Sequence, residues 1–414
     1  MYTNFGGSGF SVGLTVMALV FILGPVSGAH VNPAVSTTML ATNNIDVQGF
    51  VAYVACQLLG ASAAGALLFF GILGDVPPGG SVGAGDLTKA LLAEFLYTLM
   101  LCVVALHTAV ASSSQGHAGV AIGFVIVVGA VCVGGVSGGS FNPAVTSSFL
   151  FQTKSFPWTW FVSYIVVQLL AACVAAFLFK LTTNDLGSIS VNELVRKVVA
   201  EFLGTFWFLL AICLSPTGFP GLFIVGAVLS CLVYTFADVS GSNFNPAVSL
   251  AMLVDGKLTV IEFLSFVCTQ LISAVLAFGT AHYINGGDWK RVAGEGHTVS
   301  QEMVAEAFGT FVLVFTILSV TKSAYLSEHF GWAIGVAVMA GAGSQGSISG
   351  GSLNPSITFA AAVGDLDRKY TYLGYVFAEL VGSLVAWVAF KCVNLESFSD
   401  LKSVNAREFQ VLLE

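Results

Sequence analysis

Residues 131–148 read VCVGGVSGGSFNPAVTSS. An apolar run meets a Ser-Gly-Gly bend, and a new segment opens at Asn142-Pro143-Ala144-Val145. Asparagine is a strong helix N-cap, and proline fits the first helical turn, where its missing N–H is no loss. Asn142-Pro143 therefore starts a helix. The apolar stretch after it, about 142–151, is too short for a bilayer crossing, which takes ~20 residues. It reads as a half-helix that enters from one side and stops near mid-depth. Irregular backbone at that depth is tolerated only inside protein or beside a water-filled cavity.

The rest of the chain supports a membrane setting. Of 414 residues, 56% are hydrophobic and 9% charged, against about 25% charged in soluble domains. Mean hydropathy is +0.89. This is the composition of a polytopic membrane protein whose partner is the lipid bilayer. Its 46 glycines suit close helix packing. The net charge of −8 gives no basic surface for nucleic acid. Eight scattered cysteines lack paired spacing, so neither a disulfide framework nor a zinc site is expected, and no cofactor is implied. The start, MYTNFGGSGF, has no basic n-region and is not an ordinary signal peptide.

The motif recurs. The copies are SGAHVNPAV (27–35), SGGSFNPAV (137–145), SGSNFNPAV (240–248) and SGGSLNPSI (349–357). Their cores are Asn32-Pro33-Ala34, Asn142-Pro143-Ala144, Asn245-Pro246-Ala247 and Asn354-Pro355-Ser356. A second marker, AEFLYT (93–98), AEFLGT (200–205) and AEAFGT (305–310), precedes the last three copies by about 45 residues. Each full repeat holds three apolar spans and one short segment. The first repeat has two spans, about 10–28 and 48–73. The sequence thus predicts an all-α membrane fold of about 11 spans and four half-helices. For the short first repeat, a shortened chain is expected ahead of a true eleven-span protein.

Three spans per repeat is an odd number, so consecutive repeats sit inverted in the bilayer, an arrangement that places sites at the midplane. Paired inverted half-helices bring two N-termini together there. Their amides meet a passing solute, and their positive ends oppose cations. Lys and Arg split eight inside to six outside when the third repeat starts inside, a weak bias in the usual direction. Glu94, Glu201 and Glu306 of the second marker lie inside spans, where charge is expensive and a functional role is the default expectation. Gln57, Gln168, Gln270 and Glu379 share one place in the third spans. His30 and Asn243 share one place in the first-type loops; the other histidines read as loop or span-end residues.

These motifs resemble the aquaporin, or major intrinsic protein, family. SGAHVNPAV and the AEFLGT spans carry the resemblance, and it covers nearly the whole chain twice. It implies one unit over 1–180 that lacks a first helix, a linker 181–192, a second unit over 193–391 and a tail 392–414. The loop at VGGVSGGSFNPAV is similar to that of tonoplast-type members. The resemblance further implies a constriction at Val12, Ala130, Gly139 and Val145 in one unit and at Val225, Ala342, Gly351 and Ile357 in the other. Many members have an aromatic or His at the first of these positions and Arg at the last; both are absent here. It gives Glu94, Glu201 and Glu306 the role of bracing the loops. Gly139 and Gly351 stand where some relatives have a mercury-sensitive cysteine, so mercurial block through that position is not expected.

A ring of Val, Ala, Gly and Val is wide and apolar, which suits water and small neutral solutes such as glycerol, urea or hydrogen peroxide. Thr146 and Ser147 lack the Asp of glycerol facilitators, which keeps water ahead as the solute. A non-conducting scaffold on the same fold and a coupled transporter are the competing classes. No acid beyond the repeated glutamates is expected to face the motifs, which argues against coupling. Relatives are tetramers, so two units per chain imply a dimer of chains. The membrane itself, plasma or internal, is left open by the sequence.

Overall fold

The computed structural model describes residues 5–70, 85–111, 115–152, 156–286, 296–322 and 329–393. Helices follow the apolar runs and stop where glycine, proline and polar residues interrupt them. The first half contains α1 (Phe5–Ser27), the short α2 (Pro33–Ala41), α3 (Val47–Phe69), α4 (Leu87–Leu106), α5 (Ala118–Ser137), the short α6 (Pro143–Gln152) and α7 (Trp158–Thr182). The second half contains α8 (Glu193–Leu214), α9 (Phe219–Ser240), the short α10 (Pro246–Val254), α11 (Val260–Asn285), α12 (Val299–Lys322), α13 (Phe330–Gln345), the short α14 (Pro355–Gly364) and α15 (Lys369–Val393).

Ten of the described helices are long and apolar enough to cross a membrane. The eleventh expected span, α13, has 16 residues. At 1.5 Å per residue it covers about 24 Å of a ~30 Å hydrocarbon core. The sequence after Gln345 ends it: the run GSISGG (346–351) offers too little apolar surface and too much backbone freedom to extend the helix. Of the tail, Cys392 and Val393 end α15, and 394–414 lie outside the described residues.

In the second half, α8 packs on α9 and α11, α9 on α13, and α12 on both α13 and α15; α10 and α14 fill the middle against α11 and α15. The first half repeats this plan, with α1 on α5, α5 on α4 and α4 on α7, and with α2 and α6 against α3 and α7. Among the described residues no helix of the first half takes the place that α8 holds between α9 and α11. The consequence shows in burial: 11% of the α1 span and 6% of the α3 span are buried, against 61% of α8. The halves meet where α5 packs on α9. There Phe124 lies 5.7 Å from Phe223 and 5.8 Å from Trp332, and His117 stacks on Tyr234 at 4.6 Å. His107, which the sequence left without a role, is buried and tied to α7, with Nε2 2.9 Å from Thr182 Oγ1.

What fixes the loops between long and short helices is a buried carboxylate. Glu94 accepts hydrogen bonds from the Ser140 and Phe141 N–H groups at 2.9 and 2.7 Å, from Ser137 Oγ at 2.7 Å and from Gln168 Nε2 at 2.9 Å. Glu201 does the same for Asn243 and Phe244, with Ser240 and Gln270 completing the set. Glu306 accepts from Ser352 and Leu353 at 2.8 and 2.7 Å. Two adjacent backbone donors on one carboxylate make a charge-assisted pair, and full satisfaction is what makes a buried charge tolerable. One turn on from Glu201, Gly204 gives the loop residue its space: a Cβ there would fall 2.0 Å from the Phe244 ring. Gly309 does this for Leu353, where a Cβ would lie at 2.3 Å. The Glu-x-x-Gly spacing puts both residues on one helix face, so one stripe both binds the loop backbone and receives its side chain.

This arrangement sets a graded expectation. Glu201→Ala strips the acceptor from two buried backbone donors and two side-chain donors, and should cost about 2–4 kcal/mol. Gly204→Ala should cost about 1–3 kcal/mol through overpacking. Gly279→Ala, whose Cβ would meet nothing within 4 Å, should be neutral or mildly stabilising. The check is the temperature at which half the purified protein stays monodisperse in detergent; equal values for Glu201→Ala and Gly279→Ala would defeat the bracing account.

Candidate functional site

Each short helix begins at an Asn-Pro pair. Asn32, Asn245 and Asn354 take extended backbone at the N-cap, with φ between −155° and −157°. Their Oδ1 atoms accept from Ala34, Ala247 and Ser356 N–H at 2.8–2.9 Å, and Asn142 accepts from Ala144 at 2.9 Å. This is the side-chain cap that the sequence implies. The other half of each amide crosses to the opposing loop. Asn32 Nδ2 donates to Phe141 O at 2.9 Å, and Asn142 Nδ2 donates to Val31 O at 3.0 Å. In the second half Asn245 donates to Leu353 O at 2.8 Å, and Asn354 donates to Phe244 O at 3.0 Å. The four motifs therefore form two reciprocal pairs, α2 with α6 and α10 with α14, joined at their N-termini.

The accepting carbonyls belong to residues with left-handed backbone: Val31, Phe141, Phe244 and Leu353 have φ of 41°, 48°, 50° and 55°. Such φ is uncommon outside glycine and worst for a β-branched residue such as Val31. It persists because the residue is held at both ends. For Phe141, Phe244 and Leu353, the N–H is bound by a glutamate and the carbonyl by an asparagine. No described carboxylate accepts from Val31.

In the first half the pair borders a cavity of about 250 Å³. Asn32 and Asn142 line it, and so do Val12, Ala130, Gly139 and Val145, the four residues to which the resemblance gave the constriction. Each amide nitrogen carries two hydrogens and spends one on the opposing carbonyl, so the second is available to a solute in the cavity. His30 and Ser140 add polar atoms, and the remaining side chains of the wall are apolar, Met39 and Phe149 among them. No arginine borders the cavity. Gly139 has φ of 64°, and its Cβ would meet Ala130 Cα at 3.3 Å. Gly351 repeats this at 60° with Ala342 Cα at 2.9 Å. At both positions glycine is required by conformation and by space. Ile357 is buried at 2% exposure, whereas its counterpart Val145 is 38% exposed.

One feature of the site adds to the sequence reading and one corrects it. Gln168 and Gln270, which share one place in the third spans, converge on the loops. Each donates to the bracing glutamate and to the half-helix, Gln168 to Thr146 at 3.1 Å and Gln270 to Ser249 at 3.1 Å. Their shared register with the motifs was the signal. Glu379 corrects the expectation that no further acid faces a motif: its Oε1 accepts from Asn354 N–H at 3.0 Å and from Thr358 Oγ1 at 2.8 Å. An acid at the glutamine position reaches the same loop, so it falls beside the last Asn-Pro.

The major intrinsic protein family model matches residues 3–85, 81–213, 188–328 and 323–410. Aquaporin NIP1-1 of Zea mays is 32% identical over 208 residues, which cover 47% of this chain and 73% of that protein. Nodulin-26 of Glycine max is 33% identical over 222 residues, or 50% of this chain and 79% of that one. A solved aquaglyceroporin from Plasmodium falciparum aligns with a TM-score of 0.44 at 19% identity, over 50% of this chain and 99% of that chain. With two pairs of opposed Asn-Pro half-helices and the family model matched along almost its whole length, the chain belongs to the major intrinsic protein family of transmembrane channels, the aquaporins.

Proposed function

We propose that the chain is a passive channel with two conduits, one in residues 1–180 and one in 193–391, joined by the linker 181–192. Together the conduits pass water and small neutral solutes of the glycerol, urea and hydrogen peroxide class. The reciprocal asparagine pair beside an apolar cavity carries this reading. Two helix N-termini face one point and together present roughly a unit of positive charge, which opposes cations and protons there. The constriction, read as Val12, Ala130, Gly139 and Val145 with Val225, Ala342, Gly351 and Ile357, lacks a fixed cation. Its selectivity then follows width and the cost of stripping water from the solute. Glu94, Glu201 and Glu306 hold the loops and do not touch the solute.

The experiment is stopped-flow light scattering on proteoliposomes that contain the full chain. Water, glycerol and urea gradients should each relax faster than in empty vesicles, linearly with gradient and without effect from an imposed ion gradient. Rates equal to those of empty vesicles would favour a scaffold, and saturable flux driven by an ion gradient would favour coupled transport through Glu379.

The packing inside the chain supports an assembly. The first half offers α4 and α5 to α8 and α9. The corresponding α12 and α13 of the second half carry Val304, Phe308 and Val336 exposed. A second chain covering that face gives a dimer with four conduits. Mass photometry should count two chains per particle, and four chains per particle would rule this assembly out.

A further inference from the structure

The two conduits are built from the same positions, offset by 212 residues at Asn142 and Asn354 and by 213 at Asn32 and Asn245. At four apolar positions the first is lined by smaller side chains. Val16 of α1 corresponds to Leu229 of α9, and Ala105 of α4 to Ile317 of α12. Gly9 lines the first cavity where the second half has Leu222, and Val145 stands where it has Ile357. Leu229, Ile317 and Ile357 are buried at 5%, 7% and 2% exposure, so their extra carbons fill space on the equivalent wall. Ile126 and His30 run the other way against Val338 and Asn243, and so does Phe149, which borders the first cavity where Ala361 stands in the second half. That last exchange lies a full turn along the half-helix from Val145, and Phe149 is held aside by Phe156, ring centroids 5.8 Å apart.

We infer that the two conduits of one chain divide the solutes by size: the first carries glycerol-sized neutral molecules, and the second carries mainly water. This assignment rests on the channel reading above. Its chemistry follows from bore and lining. Ala105 and Val145 line the cavity on either side of the asparagine pair along its length: Glu94 of α4 binds the Phe141 N–H beside Asn142, Ala105 lies further along α4, and α6 runs the other way, to Phe149 packed with Ala90 and Phe156. A three-carbon polyol needs short side chains at both levels, because its hydroxyls must exchange water for amides while its carbon backbone clears the wall. Isoleucine at both places narrows the conduit at two levels, one before and one after the amides. Water, with no carbon backbone, is the least sensitive to this narrowing.

The test exchanges the lining between halves in the full chain. Ala105→Ile with Val145→Ile gives the first half the side chains of the second; Ile317→Ala with Ile357→Val does the reverse. Both pairs are reconstituted at matched protein content, and the quantity read is the ratio of glycerol to water permeability. The first pair should lower the ratio roughly tenfold, the scale on which added methylenes discriminate in a fitted pocket. The second pair should raise it. A ratio unchanged by the first pair, or lowered as much by Ile357→Trp in the second half, overturns the assignment. Because the second pair only removes carbons, a folding failure of the first pair still leaves a decisive measurement: no rise in the ratio overturns the division by size. Glycerol and water rates no higher than in empty vesicles, in the unsubstituted chain, defeat the channel reading and this assignment with it.

Discussion

The structure depends on one local device, a buried glutamate that holds two successive backbone N–H groups of a left-handed turn. Without it, the turns before Asn142, Asn245 and Asn354 carry unpaired donors at a depth where no lipid offers an acceptor, at several kcal/mol for each group. With it, Phe141, Phe244 and Leu353 sit at φ of 48–55° and turn their carbonyls toward the opposing half. Those carbonyls are the acceptors for Asn32, Asn354 and Asn245. The chain of cause therefore runs from the span glutamate, through a strained residue, to the asparagine of the other loop. Each half-helix is positioned by contacts that its own helix does not contain.

This linkage explains why the two halves of the motif set are not independent. A loop that shifts loses its glutamate contact and also moves the carbonyl that orients the asparagine across the midplane. The Gly204 and Gly309 spaces tighten the coupling, because the side chain of the same strained residue fills them. The first half shows one variation. Tyr97 takes the place of the glycine and lies 5.6 Å from the Phe141 ring, while Gly129 on α5 keeps a close approach, with a Cβ there 2.6 Å from Phe141, as Gly341 does for Leu353. Packing of one residue can thus be served from a neighbouring helix, as long as the carboxylate stays.

Much of this was legible in the sequence because it is written in residues with few alternative uses. Asn-Pro after Ser-Gly has one low-energy reading as a capped helix start, and four copies in register set the fold. A glutamate in an apolar span announces itself by its cost. The bounds of α5 and α9 fall within two residues of the apolar runs. Other features were not legible for physical reasons. The glutamines at 168 and 270 are common polar residues, and only three-dimensional convergence shows that they complete the Glu94 and Glu201 sites. Glu379 looked exceptional, but a sequence does not say which loop an acid on the last span will reach. His107 looked like a span end and is a buried tie between α4 and α7.

The lack of an arginine at Val145 and Ile357 moves the burden of ion exclusion. A fixed guanidinium would repel cations at the constriction and could serve as a donor to a solute. In the proposed conduits neither function is available there, so both fall to the midplane. The donors are the four asparagine amides, and the positive field is that of the half-helix ends, which decays within a helical turn or so. Anions are not repelled by that field; they are stopped by the aliphatic wall, which returns nothing for the hydration shell an ion gives up. Cations meet both barriers, anions only the second. An apolar ring of this kind is therefore selective against charge by solvation first and by electrostatics second, and it achieves this without restricting width. That is why substitution of aliphatic residues by smaller aliphatic ones, as between Ile317 and Ala105, can alter the size of solute admitted while the exclusion of ions stays with the wall and the helix ends.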